Sequence, residues 1–156
     1  MKKIAALILV FAAAASCKDD PKPSVEQLLT APADGWVFDS VLTIDGTTGQ
    51  TKDLVRDPTI FIPCNLDDAI VFSADGTFKV PANIKCKPTD ADIADSGTWA
   101  LSDDKTHLVV TSSARVTPIL ELEALSVTET KITGETSHIG VIAVPAIVTL
   151  RKKGTF

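Results

Sequence analysis

Three cysteines, two histidines and a scatter of carboxylates are the side chains of this 156-residue chain that are equipped for chemistry. The carboxylates come nearest to a metal motif in Asp90-x-Asp92-x-x-Asp95. A calcium loop needs an oxygen ligand at position five and a glycine at six, and Ala94 stands at five with no glycine after it. These acids are expected to be solvated loop residues. Zinc needs four closely spaced nitrogen or sulfur ligands, whereas Cys64, Cys86, His107 and His138 are scattered, so no metal is expected. Ser137-His138 offers a nucleophile beside a base, but neighbours on a strand point to opposite faces and would not meet. His107 precedes Leu108 and Val110 on the inward phase of a strand, which puts its ring outside, and both histidines are expected to be solvated. There is no Gly-x-Ser-x-Gly elbow, no phosphate-cradling loop and no dinucleotide fingerprint. The expectation is a protein without catalytic residues or a cofactor.

The cysteines are better understood from the N-terminus. Met1-Lys2-Lys3 is a basic start, Ile4 to Ala15 is uncharged and apolar, and Ala14-Ala15-Ser16 puts small residues before Cys17. Residues 1–16 are expected to be a secretory signal, too short to span a bilayer. Small residues directly before a cysteine resemble the lipobox of bacterial lipoproteins, with Ala14 where leucine is commonest. That resemblance implies cleavage before Cys17 and acyl chains on its thiol and amino group. Each buried methylene contributes ~0.8 kcal/mol, and two or three chains anchor stably where one does not. Lys18-Asp19-Asp20 is similar to the short basic-then-acidic signal that sends lipoproteins of one Gram-negative phylum to the cell surface. Outer-membrane anchoring, facing outward, is the expected address, with residues 17–23 as anchor and linker. Export into an oxidising space leaves Cys64 and Cys86 as the remaining thiols, and a disulfide between them is expected. For a loop of this length the chain-entropy model gives ~3.4 kcal/mol.

The elements that hold these residues follow from periodicity. Ser24-Val25-Glu26-Gln27 fits a capping box, Leu28-Leu29 continue a short helix, and Pro32 stops it. From there to the end of the chain the pattern has period two. Trp36, Phe38, Leu42 and Ile44 share one phase of a strand ending at Asp45-Gly46. Residues 46–66 are undecided, with one short strand expected near Leu54. Ser73-Ala74-Asp75-Gly76 and Ser102-Asp103-Asp104-Lys105 each read as a hairpin turn between apolar runs. Val116 to Val127 is a long strand whose phase changes near Ala124, which predicts a bulge. Lys131 to Thr136 and Val141 to Leu150 complete an up-and-down antiparallel meander of about eight strands. Closure into a barrel is expected because it removes unpaired edges. Residues 24–156 form the one folded domain. The net charge of −5 becomes more negative once Lys2 and Lys3 are cleaved, and an acidic chain without a basic cluster excludes nucleic acid as a partner.

Several of these motifs together resemble a family. Cys64-Asn65-Leu66-Asp67-Asp68, Phe72-Ser73-Ala74-Asp75-Gly76-Thr77-Phe78, Cys86 and Gly97-Thr98-Trp99-Ala100-Leu101-Ser102-Asp103-Asp104 are similar to the lipocalin-like lipoproteins of Gram-negative bacteria. The likeness covers roughly residues 28–151. True lipocalins carry Gly-x-Trp at the first strand, and here Asp34-Gly35-Trp36 has no spacer. The resemblance implies a small β-barrel and, at most, an apolar ligand.

Trp36, Phe38, Phe72, Phe78 and Trp99 lie on the apolar phase of their strands, where a barrel interior would be. They are the candidate ligand-binding residues. The leading expectation is a surface-anchored barrel that binds a small apolar molecule without catalysis. The competing one is an accessory subunit of a cell-surface assembly with a solid interior. It is motivated by Val141 to Val148, which is apolar on both faces and needs cover from the N-terminal helix or from a protein partner.

Overall fold

A computed structural model describes residues 21–115, 118–139 and 142–155. Cys17, Lys18, Asp19 and Asp20 lie outside the described residues, and so does Val116 at the expected start of the long strand. Among the described residues the fold is all-β with one helix, α1 (Val25–Thr30). Its capping box forms as expected: the Ser24 hydroxyl accepts from Gln27 N at 3.2 Å, and Gln27 Oε1 accepts from Ser24 N at 2.8 Å.

Nine antiparallel strands follow among the described residues, where about eight are expected, with β2 beside Leu54 where the short strand is expected: β1 (Trp36–Ile44), β2 (Thr51–Asp53), β3 (Val71–Phe72), β4 (Thr77–Pro81), β5 (Ile93–Leu101), β6 (Leu108–Ser112), β7 (Pro118–Val127), β8 (Lys131–Ile139) and β9 (Ile142–Lys152). They make a single sheet in the order β2-β1-β9-β8-β7-β6-β5-β4-β3. Both expected hairpin turns lie where predicted, between β3 and β4 and between β5 and β6.

The expected closure into a barrel is not made. The sheet has two edges, β2 and β3, and among the described residues its ends meet through an isolated bridge between Trp36 and Ile70, whose two hydrogen bonds are 2.9 and 2.8 Å. The reason is local. β2 has three residues and β3 has two, so neither is long enough to complete the ladder. Between them the chain makes two 3-10 turns, Leu54–Arg56 and Pro63–Asn65. Beside this gap the Val41 amide donates to the Asp53 carboxylate at 3.0 Å rather than to a strand.

Bulges set which side chains face inward. A register shift between Phe38 and Ser40 reverses the phase of β1. Val41 and Thr43 therefore turn inward, while Leu42 and Ile44, expected on the same face as Trp36, stand 36% and 66% exposed. The predicted bulge in β7 lies at Ala124, which has φ 48° beside shifted pairing with β8. The core contains Leu29, Trp36, Phe72, Phe78, Leu108, Leu122, Val148 and Leu150. β9 alternates rather than burying both faces, with Ala146 and Val148 inside and Ile147 exposed.

Two glycines permit close approaches. Gly35 has φ +77°, and a Cβ there would sit 2.6 Å from the Ile70 carbonyl oxygen, in the bridge that joins the sheet's ends. A Cβ at Gly97 would overlap the Thr111 carbonyl on the neighbouring strand and touch the Phe78 ring at 2.9 Å. Backbone cannot yield as a flexible side chain can, so Gly97→Ala is expected to lower stability by at least ~1–3 kcal/mol. A urea midpoint equal to that of the parent would refute this.

Candidate functional site

One end of the sheet is plugged by α1. Leu29 is fully buried, its carbonyl accepts from the Trp36 indole nitrogen at 2.8 Å, and Lys105 from the β5–β6 turn meets Glu26 at 2.6 Å. That pairing holds the Glu26 carboxyl down at about 2, with the Lys105 hydrogen bond as the largest cause. Asp104 is also lowered to about 2 by the Ser102 hydroxyl and by Thr106, and Asp57 to about 2 by Lys52 and Thr59. Their folded pKa values lie below the unfolded ones, so the folded state binds fewer protons between the two. This contribution is complete above the unfolded carboxylate range and is lost as pH falls toward 2. The melting temperature is expected to hold steady from neutral pH to about pH 5 and to drop below about pH 4. A flat profile down to pH 2.5 would contradict it.

The opposite end holds a cavity of about 370 Å³. β1, β4, β5, β7 and β8 contribute Phe38, Val80, Ala94, Ile119 and Ile139 to its wall. The missing side of the sheet is supplied by the segment between β2 and β3, through Ile60, Phe61, Ile62 and Leu66. Phe61 meets Phe38 edge to face with ring centroids 5.3 Å apart. Polar groups at the wall are Asn65, Asp68, Asp95 and Arg115.

A disulfide fastens this cover. Cys64 and Cys86 are bonded, with Cα atoms 5.4 Å apart, as expected from sequence. It ties the second 3-10 turn to the loop between β4 and β5. Asn83 reinforces the join, its side-chain amide donating to Asp67 O at 2.7 Å and its backbone amide to Asp68 Oδ1 at 3.0 Å. Lys153 Nζ donates to Asp67 O at 3.0 Å from the far end of the chain.

The five aromatic residues singled out from sequence divide between two settings. Phe38 borders the cavity. Trp36, Phe72 and Phe78 are buried in the core at 0–3% exposure, and Trp99 stacks edge-on against Phe72 at 5.6 Å with its indole nitrogen donating to Ser73 O at 2.9 Å. Periodicity finds inward-facing residues without separating core from cavity wall. The cover residues fall within or beside the stretch that sequence left undecided. Their signal was Ile60-Phe61-Ile62 itself, an apolar run between Pro58 and Pro63.

The remaining chemical candidates have ordinary surroundings or unexpected ones. Asp90 accepts from Lys87 N, Asp92 pairs with Lys85, and Asp95 accepts from the Ser112 hydroxyl and Ser96 N. Among the described residues no three or more His, Cys, Asp or Glu side chains converge as metal ligands would. His107 departs from expectation, because its Nε2 is buried with no hydrogen-bond partner among the described residues rather than solvated. Ser137 and His138 also depart from strict alternation. A register shift between Thr136 and His138 brings Ser137 Oγ to 3.5 Å from His138 Nδ1, with Glu121 Oε2 3.8 Å from Nε2. Both separations exceed the reach of efficient proton transfer.

These features define a class: a single antiparallel sheet plugged by a helix at one end, with a disulfide-fastened cover over an apolar cavity at the other. No family model matches the chain, and none of the curated proteins compared with it matches. No helix among the described residues is long and apolar enough to cross a membrane.

Proposed function

We propose that this protein is a lipid-anchored lipoprotein of the outer membrane, exposed at the cell surface, whose lipocalin-like domain binds a small apolar ligand without catalysis. The observation that carries the reading is the cavity of about 370 Å³ walled by Phe38, Ile60, Phe61, Ile119 and Ile139. Its size and mostly apolar wall suit a small hydrophobic molecule held chiefly by area burial, at about 25 cal/mol per Å². In this reading the covered gap stands where a lipocalin-like barrel would make its last pairing. A neutral fluorescent apolar probe is expected to bind saturably to the full chain below roughly millimolar, an affinity worth only about 4 kcal/mol. Ile119→Glu should weaken it by placing a carboxylate against the probe. Absence of saturable binding would end this reading.

The anchor rests on Cys17 and the residues before it. Intact-mass analysis should find Cys17 acylated at the mature N-terminus, and Cys17→Ala should release the protein from membranes. An unmodified terminus elsewhere refutes the anchor. Alanine in place of Lys18, Asp19 and Asp20 should leave the lipoprotein protected from protease added to intact cells; equal sensitivity would remove the surface address.

A second reading, an accessory subunit of a surface assembly, is favoured by the outer face of β1 and β9. There Leu42 lies opposite Ile147, itself 48% exposed, beside the still more exposed Ile44. Ile44→Glu with Ile147→Glu should then dissociate the assembly while sparing the probe's binding.

A further inference from the structure

We infer that the ligand of the cavity is an amphiphile with a single anionic head, taken up with its tail inside and its head at Arg115. This rests on the binding reading given above and adds the polar end of the ligand. Three charged side chains border the cavity, Asp68, Asp95 and Arg115, and their circumstances differ. Asp68 Oδ1 already accepts from Asn83 N at 3.0 Å. Asp95 Oδ1 accepts from the Ser112 hydroxyl at 2.6 Å and from Ser96 N at 2.7 Å. The guanidinium of Arg115 is exposed and has no hydrogen bond or ion pair among the described residues. Its backbone is held, with the amide donating to Ser112 O at 3.3 Å, so the side chain springs from a fixed turn after β6. Among the described residues it is therefore the charged group on the wall with its donors uncommitted. A planar guanidinium offers paired donors that match a carboxylate or a comparable oxyanion. Ile119, Leu120 and Ile139 line the same cavity and offer apolar surface that suits an alkyl chain. Asp95 is, with Asp68, one of two opposing charges on the wall and sets the sign of a second test.

Calorimetric titration of the full chain at pH 8 with decanoate and with 1-decanol separates the two ends of the ligand. Decanoate is expected to bind about tenfold more tightly than decanol, and Arg115→Gln to abolish that preference. Asp95→Asn should shift the preference the other way, toward decanoate, because it removes a competing carboxylate. Shortening either probe should weaken binding about fourfold per methylene, as burial of each group requires. If decanol matches decanoate in the parent, or Arg115→Gln weakens both alike, the anionic head is overturned while the apolar cavity stands. If neither probe binds, the cavity reading falls with it.

Discussion

An alanine at position 36 is expected to cost about 3–5 kcal/mol, the range for deleting a large buried aromatic side chain. Trp36 has no exposed surface, and it performs two jobs that sequence alone does not couple. Its backbone makes both hydrogen bonds of the bridge to Ile70, which is where the ends of the sheet meet. Its indole nitrogen donates to Leu29 O and so holds the helix that plugs that end. Alanine would preserve the backbone bridge but remove the ring and leave the Leu29 carbonyl without its donor. A domain of this kind has about 5–15 kcal/mol in total, so the loss is a large fraction of it. Trp36→Phe separates the contributions, since it keeps most of the packing and removes the donor, and about 1–3 kcal/mol is expected from the unsatisfied carbonyl. Trp99 supplies the reporter for urea unfolding in both variants. A midpoint for Trp36→Ala close to that of the parent would refute the role assigned to this residue.

How far the sequence carried the fold can be seen in β1. Its existence and its turn were legible from alternation and from Asp45-Gly46, but the inward set was read wrongly after Phe38. One extra residue at a bulge reverses every later side chain, and Asp39, the residue left without a cross-strand pairing partner here, carries no mark that distinguishes a bulge from a regular strand position. In β7 the same event was legible, because the apolar phase itself changes near Ala124. Barrel closure failed for a related reason. The argument from unpaired edges is sound for long strands, yet a proline-containing segment with an apolar run can cover a gap just as well, and residues 54–68 do so. The candidate site inherited that blind spot. Phe38 was visible as an inward aromatic, whereas Phe61 came from a stretch without period two. The disulfide was legible because it depended on compartment and cysteine count rather than on register.

Loss of the Cys64–Cys86 bond should show that this cover is a separable part of the molecule. Replacing both cysteines with serine is expected to lower stability by ~3.4 kcal/mol if the bond acts mainly by restricting the unfolded chain. Its second effect is local. Between β2 and β3 the chain lacks the continuous ladder that holds the rest of the sheet, so the cover depends on a few fastenings. Apart from the disulfide these include the two Asn83 hydrogen bonds, the Lys153 bond to Asp67 and the Phe38–Phe61 contact. Cys86 is exposed, so dithiothreitol should reach the bond in the native state and reproduce the serine variant. Hydrogen exchange is expected to accelerate across residues 57–68 under conditions in which β7, β8 and β9 remain protected. Affinity for an apolar probe should fall in parallel, because Ile60, Phe61, Ile62 and Leu66 form one wall of the cavity. If exchange accelerates uniformly through the sheet, the bond stabilises the whole fold and has no special hold on the cover. If exchange in the cover is unchanged and the probe binds as before, the remaining fastenings suffice and the disulfide has no part in shaping the site.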